Sequence, residues 1–265
     1  MMGRSSRAVT FDLWHTLVYL EPQEEEQYMQ EQSELAVSLL ASAGAVGSDS
    51  TATCTPAEAF ARVRAEAISA AARGVSISPR AQFAGASRLA GRVDEGAAYV
   101  ESVRALVART PFRRAPQVLT TLQELRRRGF RIGVISNTIG EPGWTLRPVM
   151  RRLGFETLLD VWAFSDEHVW TKPSAALFRW ALDRLDVPPE RAVHVGDGWA
   201  DIEGARRAGL RAGILFTGLQ NYGVSYRQYL LAPERHDAPS PHRLARLEEL
   251  PSRLERLLPR DGAPE

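Results

Sequence analysis

The chain has 265 residues, 44% apolar and 25% charged, which leaves ample apolar surface for a core and excludes disorder as its main state. A formal charge of +1 excludes polyanion binding by bulk electrostatics, so no nucleic-acid partner is expected. No run approaches the ~18 apolar residues of a membrane span, Met1 to Thr10 carries no signal-peptide pattern, and the lone Cys54 permits neither an internal disulfide nor a thiolate cluster, so the expected setting is cytoplasmic.

Ala8 to Leu13 (AVTFDL) is a short apolar run ending near an acid, which suits a buried parallel strand presenting Asp12 at its carboxyl end. Residues 21–110 read differently. Leu35, Leu39 and Leu40, then Phe60, Val63, Ala67 and Ile68, recur at helical spacing. Thr55-Pro56-Ala57-Glu58 has the threonine cap, first-turn proline and third-position glutamate of a helix start. Gly44 to Thr53 reads as a loop. From Pro116 the rhythm alternates: helices over Val118–Arg128, Arg147–Leu153, Ser174–Leu185 and Ile202–Ala208, and strands over Arg131–Ser136, Val161–Ser165, Ala192–Gly196 and Ala212–Phe216. Such alternation specifies an α/β fold, a doubly wound parallel sheet with helices on both faces and a ligand crevice at the carboxyl ends of the strands. Beyond Gly218 the chain is rich in proline and arginine, and Leu244–Leu258 is expected to form a terminal helix.

Asp12, Ser136 and Asp197 all fall at or just after predicted strand ends. Lys172 is the only lysine, in a chain whose other basic residues of this class are all arginine. A lysine that stands alone among arginines marks chemistry that needs a compact point charge.

Four short motifs occur in order: Asp12-Leu13-Trp14-His15-Thr16-Leu17, Ser136-Asn137-Thr138, Thr171-Lys172-Pro173, and Gly196-Asp197-Gly198-Trp199-Ala200-Asp201. In this set the chain resembles the haloacid dehalogenase-like hydrolase superfamily, from Val9 to Phe216. The resemblance implies a Rossmann-like α/β core over residues 1–20 and 111–265, and a small all-helical cap domain over residues 21–110. It also implies an Mg2+-dependent hydrolase acting through an aspartyl intermediate at Asp12 on a small anionic substrate, as a monomer or homodimer. Asp12 and Asp197 would share the ion with the backbone carbonyl of Trp14. Asp201 would bind the ion's waters or the lysine. Lys172 would neutralise the nucleophile and the transferring group. Ser136 would offer a hydroxyl, and Asn137 an amide, to phosphoryl oxygens.

One position departs from the pattern. The superfamily's phosphatases carry a second aspartate two residues after the nucleophile, and here Trp14 stands there. An indole moves no proton at neutral pH, and general acid–base help is worth about 10²–10⁴-fold. His15 is the adjacent titratable group and is expected at the substrate, although on an extended segment its ring would point away from that of Trp14. The 2-haloacid dehalogenases also have an aromatic residue at this position, which gives one alternative, a carbon-centred hydrolase; a catalytically degenerate binding module is another. Against the first, Gly196-Asp197 with Asp201 is the metal-binding form of the fourth motif. Trp199 reads as a packing residue, His194 as a core histidine, and Arg126-Arg127-Arg128 as a solvated helix end. Arg62, Arg64, Arg88 and Arg92 are candidate anion clamps from the cap.

Overall fold

The computed structural model describes residues 6–46, 54–219 and 240–260. Its centre is strand β1 (Arg7–Phe11), buried at every position. Between β1 and the next core strand come a short strand β2 (Val18–Tyr19), helices α1 (Pro22–Ser42), α2 (Pro56–Ala72), α3 (Pro79–Leu89) and α4 (Gly96–Arg109), and a short strand β3 (Arg113–Arg114). The α/β alternation follows as α5 (Val118–Arg127), β4 (Phe130–Ser136), α6 (Gly143–Arg152), β5 (Val161–Phe164), α7 (Ala175–Leu185), β6 (Ala192–Gly196), α8 (Trp199–Ala208) and β7 (Ala212–Phe216). Strand β8 (Arg243–Leu244) and helix α9 (Leu250–Leu257) complete the described chain.

The main sheet has the order β5-β4-β1-β6-β7-β8, parallel throughout. β1 therefore lies between β4 and β6, where the winding reverses, and the crevice of a doubly wound sheet opens at that point. Both faces are covered. Leu177, Phe178, Ala181 and Leu182 of α7 and Ala205 of α8 pack on Ile135 and Ala163. Leu122 and Leu125 of α5 and Leu250 and Leu254 of α9 join Val9, Phe11, Ile132 and Val134 on the other side. Arg7 is buried because its guanidinium donates to the Glu255 carboxylate and to the carbonyls of Leu258 and Arg128, and lies over the Phe130 ring.

The helical insert starts as its sequence suggests. At α2 the Thr55 hydroxyl accepts the Glu58 amide at 3.3 Å, and the Glu58 carboxylate accepts the Thr55 amide at 2.9 Å. The stacked rings of Phe83 and Tyr99, 4.7 Å apart with Phe60 edge-on, join α2, α3 and α4. The chain enters and leaves this insert through β2 and β3, which pair antiparallel. Two-residue strands carry no readable periodicity, and neither was expected.

Other departures have local causes. Leu244–Leu258 is not one helix: β8 is followed by a 3₁₀ turn at Leu247–Glu249, and α9 starts only at Leu250. Pro251 has no amide to donate to Leu247, so the α-helical ladder begins there and cannot extend backwards. α6 begins at Gly143, four residues before its expected start, and carries Pro148 inside, because Leu146, Val149 and Met150 form a buried stripe that uses the earlier turn. α8 likewise begins at Trp199 rather than Ile202, which puts Asp201 in its first turn. Residues 47–53 of the expected loop, and residues 220–239 of the tail, lie outside the described residues. No helix among the described residues is long and apolar enough to cross a membrane.

Gly204 gives a test of this packing. A Cβ there would overlap the buried ring of Phe178. Alanine would gain about 1 kcal/mol of helix propensity, and overpacking costs about 1–3 kcal/mol. Gly204→Ala is expected to be net destabilising by about 1 kcal/mol, seen as a lower urea midpoint at unchanged slope.

Candidate active site

The sheet brings three motif ends together. The Asp12 amide donates to the Val195 carbonyl at 2.8 Å, so Asp12 leaves β1 beside the end of β6. Ser136 closes β4 on the other side, and Asp197 follows β6 directly. The fourth group arrives from the loop before α7. Lys172, only 3% exposed, places its Nζ 2.6 Å from Asp12 Oδ1 and 2.7 Å from Asp201 Oδ1.

Asn137 sets that lysine. Its side-chain Oδ1 accepts the Lys172 amide at 2.8 Å and its Nδ2 donates to the Lys172 carbonyl at 3.2 Å. The amide expected to face a substrate is thus engaged by the backbone of Lys172. Asp201 is equally occupied: Oδ2 accepts the Gly198 amide at 3.0 Å, and Oδ1 also lies 3.0 Å from His194 Nε2. His194 is enclosed within β6, and its Nδ1 lies 2.8 Å from Thr10 Oγ1. Burial pushes this imidazole below its ordinary range, against the opposing pull of Asp201. The bonds are satisfied if Thr10 donates to Nδ1 and a neutral ring donates from Nε2 to Asp201, an assignment made from the network.

Carboxylate oxygens of Asp12, Asp197 and Asp201 lie within 4.8 Å of one another. Burial pushes the Asp12 carboxyl up to about 8; the Lys172 ammonium opposes this, and the charges of Asp201 and Asp197 add to it. Asp201 is held below the ordinary carboxylate range: burial, the largest influence, raises it, but Lys172 and His194 together outweigh that. Desolvation likewise draws Lys172 down, and the paired carboxylates more than restore it. Three carboxylates against one ammonium leave surplus negative charge in a poorly solvated place. This set of hard oxygen donors fits a divalent cation of the magnesium or calcium type and lacks the nitrogen and sulfur donors of a zinc site. The Ser136 hydroxyl is fully buried and has no hydrogen-bond partner among the described residues. A buried polar atom without a protein partner needs an explanation, and a ligand oxygen would supply one.

Trp14 and His15 are placed otherwise. Leu13 to Val18 is a tight turn, not an extended segment: the His15 amide donates to Val18 and the Val18 amide to Leu13. His15 adopts a left-handed backbone, φ 54°, and the two rings lie 6.4 Å apart. The His15 ring bonds Glu25 of α1 at 3.0 Å, so it ties the turn to the insert rather than joining the Asp12–Lys172 group. The Trp14 indole donates to Glu141 Oε1 at 3.2 Å and packs edge-on against Phe112. Glu141, 5% exposed, also accepts the Tyr28 hydroxyl at 3.3 Å and Gln32 Nε2 at 3.2 Å. Burial pushes the Glu141 carboxyl up to about 7.

The insert also reaches the loop after β4. Arg64 and Gln82 both donate to the Ile139 carbonyl, at 2.7 and 2.8 Å. Arg92 binds the Ala43 carbonyl, whereas Arg62 and Arg88 are exposed. Arg127 and Arg128 pair with Glu124, and Arg126 with Asp160, as befits a solvated helix end. His194, Glu141, Tyr28 and Gln32 had no marking in the sequence as members of this neighbourhood.

A parallel doubly wound sheet that gathers acids and one lysine at its carboxyl ends places the chain among α/β proteins whose ligand crevice lies at the switch point. The chain belongs to the haloacid dehalogenase-like hydrolase family, whose model matches residues 6–209. It is 40% identical over 98 residues to glyceraldehyde 3-phosphate phosphatase of Methanothermobacter thermautotrophicus, a match covering 37% of this chain and 42% of that protein. It is 32% identical over 142 residues to (S)-2-haloacid dehalogenase 1 of Pseudomonas sp. strain CBS-3, covering 54% of this chain and 56% of that one. Matches to these curated relatives thus span about half of their length. Among solved structures, 2-haloacid dehalogenase from Pseudomonas syringae pv. tomato superposes with a TM-score of 0.62 at 25% identity, covering 95% of this chain and 99% of that chain.

Proposed function

We propose that the chain is a magnesium-dependent phosphohydrolase that acts on a small organic phosphate through an aspartyl phosphate at Asp12. The observation that carries this reading is the grouping of Asp12, Asp197 and Asp201 within 4.8 Å, with Lys172 as their buried counter-ion. A dianionic phosphate approaching a carboxylate nucleophile needs positive charge, and this donor set is built to collect it. A carbon-centred dehalogenation has no such need, so that alternative is the weaker one. Likeness to a glyceraldehyde 3-phosphate phosphatase supports the same choice.

Magnesium, held by Asp12, Asp197 and the Trp14 carbonyl, would neutralise the phosphoryl oxygens and orient the group for in-line attack. The residues do the rest. An Asp12 oxygen forms the bond to phosphorus while the bond to the leaving-group oxygen breaks. Water then attacks phosphorus, releasing orthophosphate and restoring the carboxylate. Lys172 balances charge on Asp12 and on the transferring group, held by Asp201 through its side chain and by Asn137 through its backbone. Ser136 donates its unpartnered hydroxyl to a phosphoryl oxygen. The insert serves as a cap that keeps bulk water from the intermediate.

Asp197→Ala tests the metal assignment. Loss of one of the two direct carboxylates is expected to weaken magnesium binding about tenfold or more by titration calorimetry. The thermal unfolding midpoint without metal should stay near wild type, because Asp197 is only half-buried. Unchanged affinity would remove Asp197 from the site.

A further inference from the structure

We propose that the substrate is a phosphoric anhydride, an acyl phosphate or a phosphoryl phosphate, whose leaving group departs as a stable anion without a proton from the protein. This deepens the phosphohydrolase reading above and rests on it. Among the described residues, the acidic and N–H-bearing side chains near the Asp12 turn are engaged elsewhere. Lys172 is shared between Asp12 and Asp201. Asp201 is saturated by Lys172, His194 and the Gly198 amide. His194 is sealed behind Asp201, fully buried, with Thr10 on its other nitrogen. Asn137 holds the Lys172 backbone at both ends of its amide. His15 is drawn to Glu25. Thr16 offers only a hydroxyl, too weak an acid to serve, and Trp14, two residues after the nucleophile, directs its single N–H to Glu141. Glu141 accepts from Trp14, Tyr28 and Gln32, and the indole N–H is thereby held on it. Phe112 at 5.3 Å and Tyr28 at 6.1 Å hold the indole ring, so it does not swing aside to admit another donor.

The consequence depends on the leaving group. An alkoxide is the conjugate base of an acid about as weak as water, pKa about 15.7, so its departure needs a proton in the transition state. A carboxylate leaves from an acid of pKa about 4 and a phosphate from one of pKa about 6, and both depart as they are. With an acyl phosphate, the Asp12 oxygen bonds to phosphorus and the phosphorus–oxygen bond to the acyl group breaks. The electron pair leaves with the carboxylate. Water then adds to phosphorus, the aspartyl oxygen takes back its pair, and the water's protons end on orthophosphate and solvent.

The test measures the first step alone. Release of the leaving group in a single turnover with magnesium is followed for aryl phosphates of graded phenol acidity, for acetyl phosphate and for glycerol phosphate. The expected result is a steep fall in rate with rising leaving-group pKa, with acetyl phosphate at least about 100-fold faster than glycerol phosphate, the size of a missing general acid. Trp14→Asp, which introduces a carboxylic acid, should narrow that gap about tenfold or more. Glu141→Gln should leave the slope as it is. Equal rates for alkyl and acyl phosphates overturn the proposal, since they would show a working acid. A gap that widens in Glu141→Gln also overturns it and identifies Glu141 as that acid. The wild-type slope decides the matter even if Trp14→Asp does not fold. Absence of any aspartyl phosphate from every probe overturns the phosphohydrolase reading itself, a result distinct from a flat slope.

Discussion

Asp12→Asn is expected to abolish turnover, by about 10³-fold or more, while the protein stays folded. An amide is not a nucleophile toward phosphorus, and removal of a covalent nucleophile is among the costliest single changes an enzyme undergoes. The fold should tolerate it because asparagine keeps the shape, and Lys172 keeps Asp201 as a partner at 2.7 Å. The substitution also removes a carboxyl whose ionisation burial already opposes, pushing it up to about 8. The check is paired: phosphate release with magnesium, and trapping of an acid-stable phosphorylated enzyme followed by peptide mapping. Retention of more than a few per cent of activity in a folded variant, free of wild-type contamination, would take the nucleophile away from Asp12.

Lys172→Met should damage both activity and stability. The ammonium is buried and holds two carboxylates, so its removal leaves Asp12 and Asp201 facing each other without a counter-ion. Breaking a buried ion pair from one side costs about 3–5 kcal/mol. The loss should shrink as the pH falls through the carboxylate range, because protonation of the abandoned acids removes the uncompensated charge. Activity should fall about 100-fold or more, the scale of one preorganised charge at a transferring group. A urea series at two pH values separates the two effects. A variant as stable as wild type at neutral pH would show that Lys172 is not the counter-ion of this cluster. Lys172→Arg is not a rescue, since a planar fork does not fit where one Nζ lies 2.6 and 2.7 Å from two separate carboxylates.

The legible part of this molecule is the part in which chemistry and local pattern coincide. Asp12, Lys172 and Asp197 stand at strand ends or in a loop, Asp201 stands in the helix turn that follows, all four lie within short motifs, and a parallel sheet puts its strand ends in one place. They needed only the order of the elements to be read as neighbours. Glu141 needed more. Its partners Tyr28 and Gln32 lie 113 and 109 positions away, on a helix whose docking no local pattern reveals. His194 sits in an apolar strand buried on both faces, where alternation gives no sign of which side chain meets a carboxylate. The sequence also suggested that Trp14 and His15 would diverge on an extended segment. The left-handed turn at His15 is closed by the local Leu13–Val18 hydrogen bonds and tied to α1 by the Glu25 contact, and no residue pattern marks either. Two helix starts also departed from expectation: α6 begins at Gly143 and accommodates Pro148 in its interior, and α9 begins only at Leu250, with Pro251 in its first turn.

The position of β1 has a consequence for synthesis. Arg7 pairs with Phe130 and Ala8 with Ala192, and the Arg7 guanidinium finds Glu255 248 positions later. A chain made from its amino terminus therefore makes its central strand well before either of that strand's neighbours. The four helices between Pro22 and Arg109 are contiguous and meet one another as soon as they emerge. Birth order thus inverts architectural order: the peripheral helices form first, and the middle of the sheet is sealed only when α9 closes over it. Long-range closure of this kind is slow and leaves apolar strand edges exposed meanwhile. Nascent chains stopped after α4 are expected to resist protease across the helices while β1 remains open to cleavage or to a chaperone.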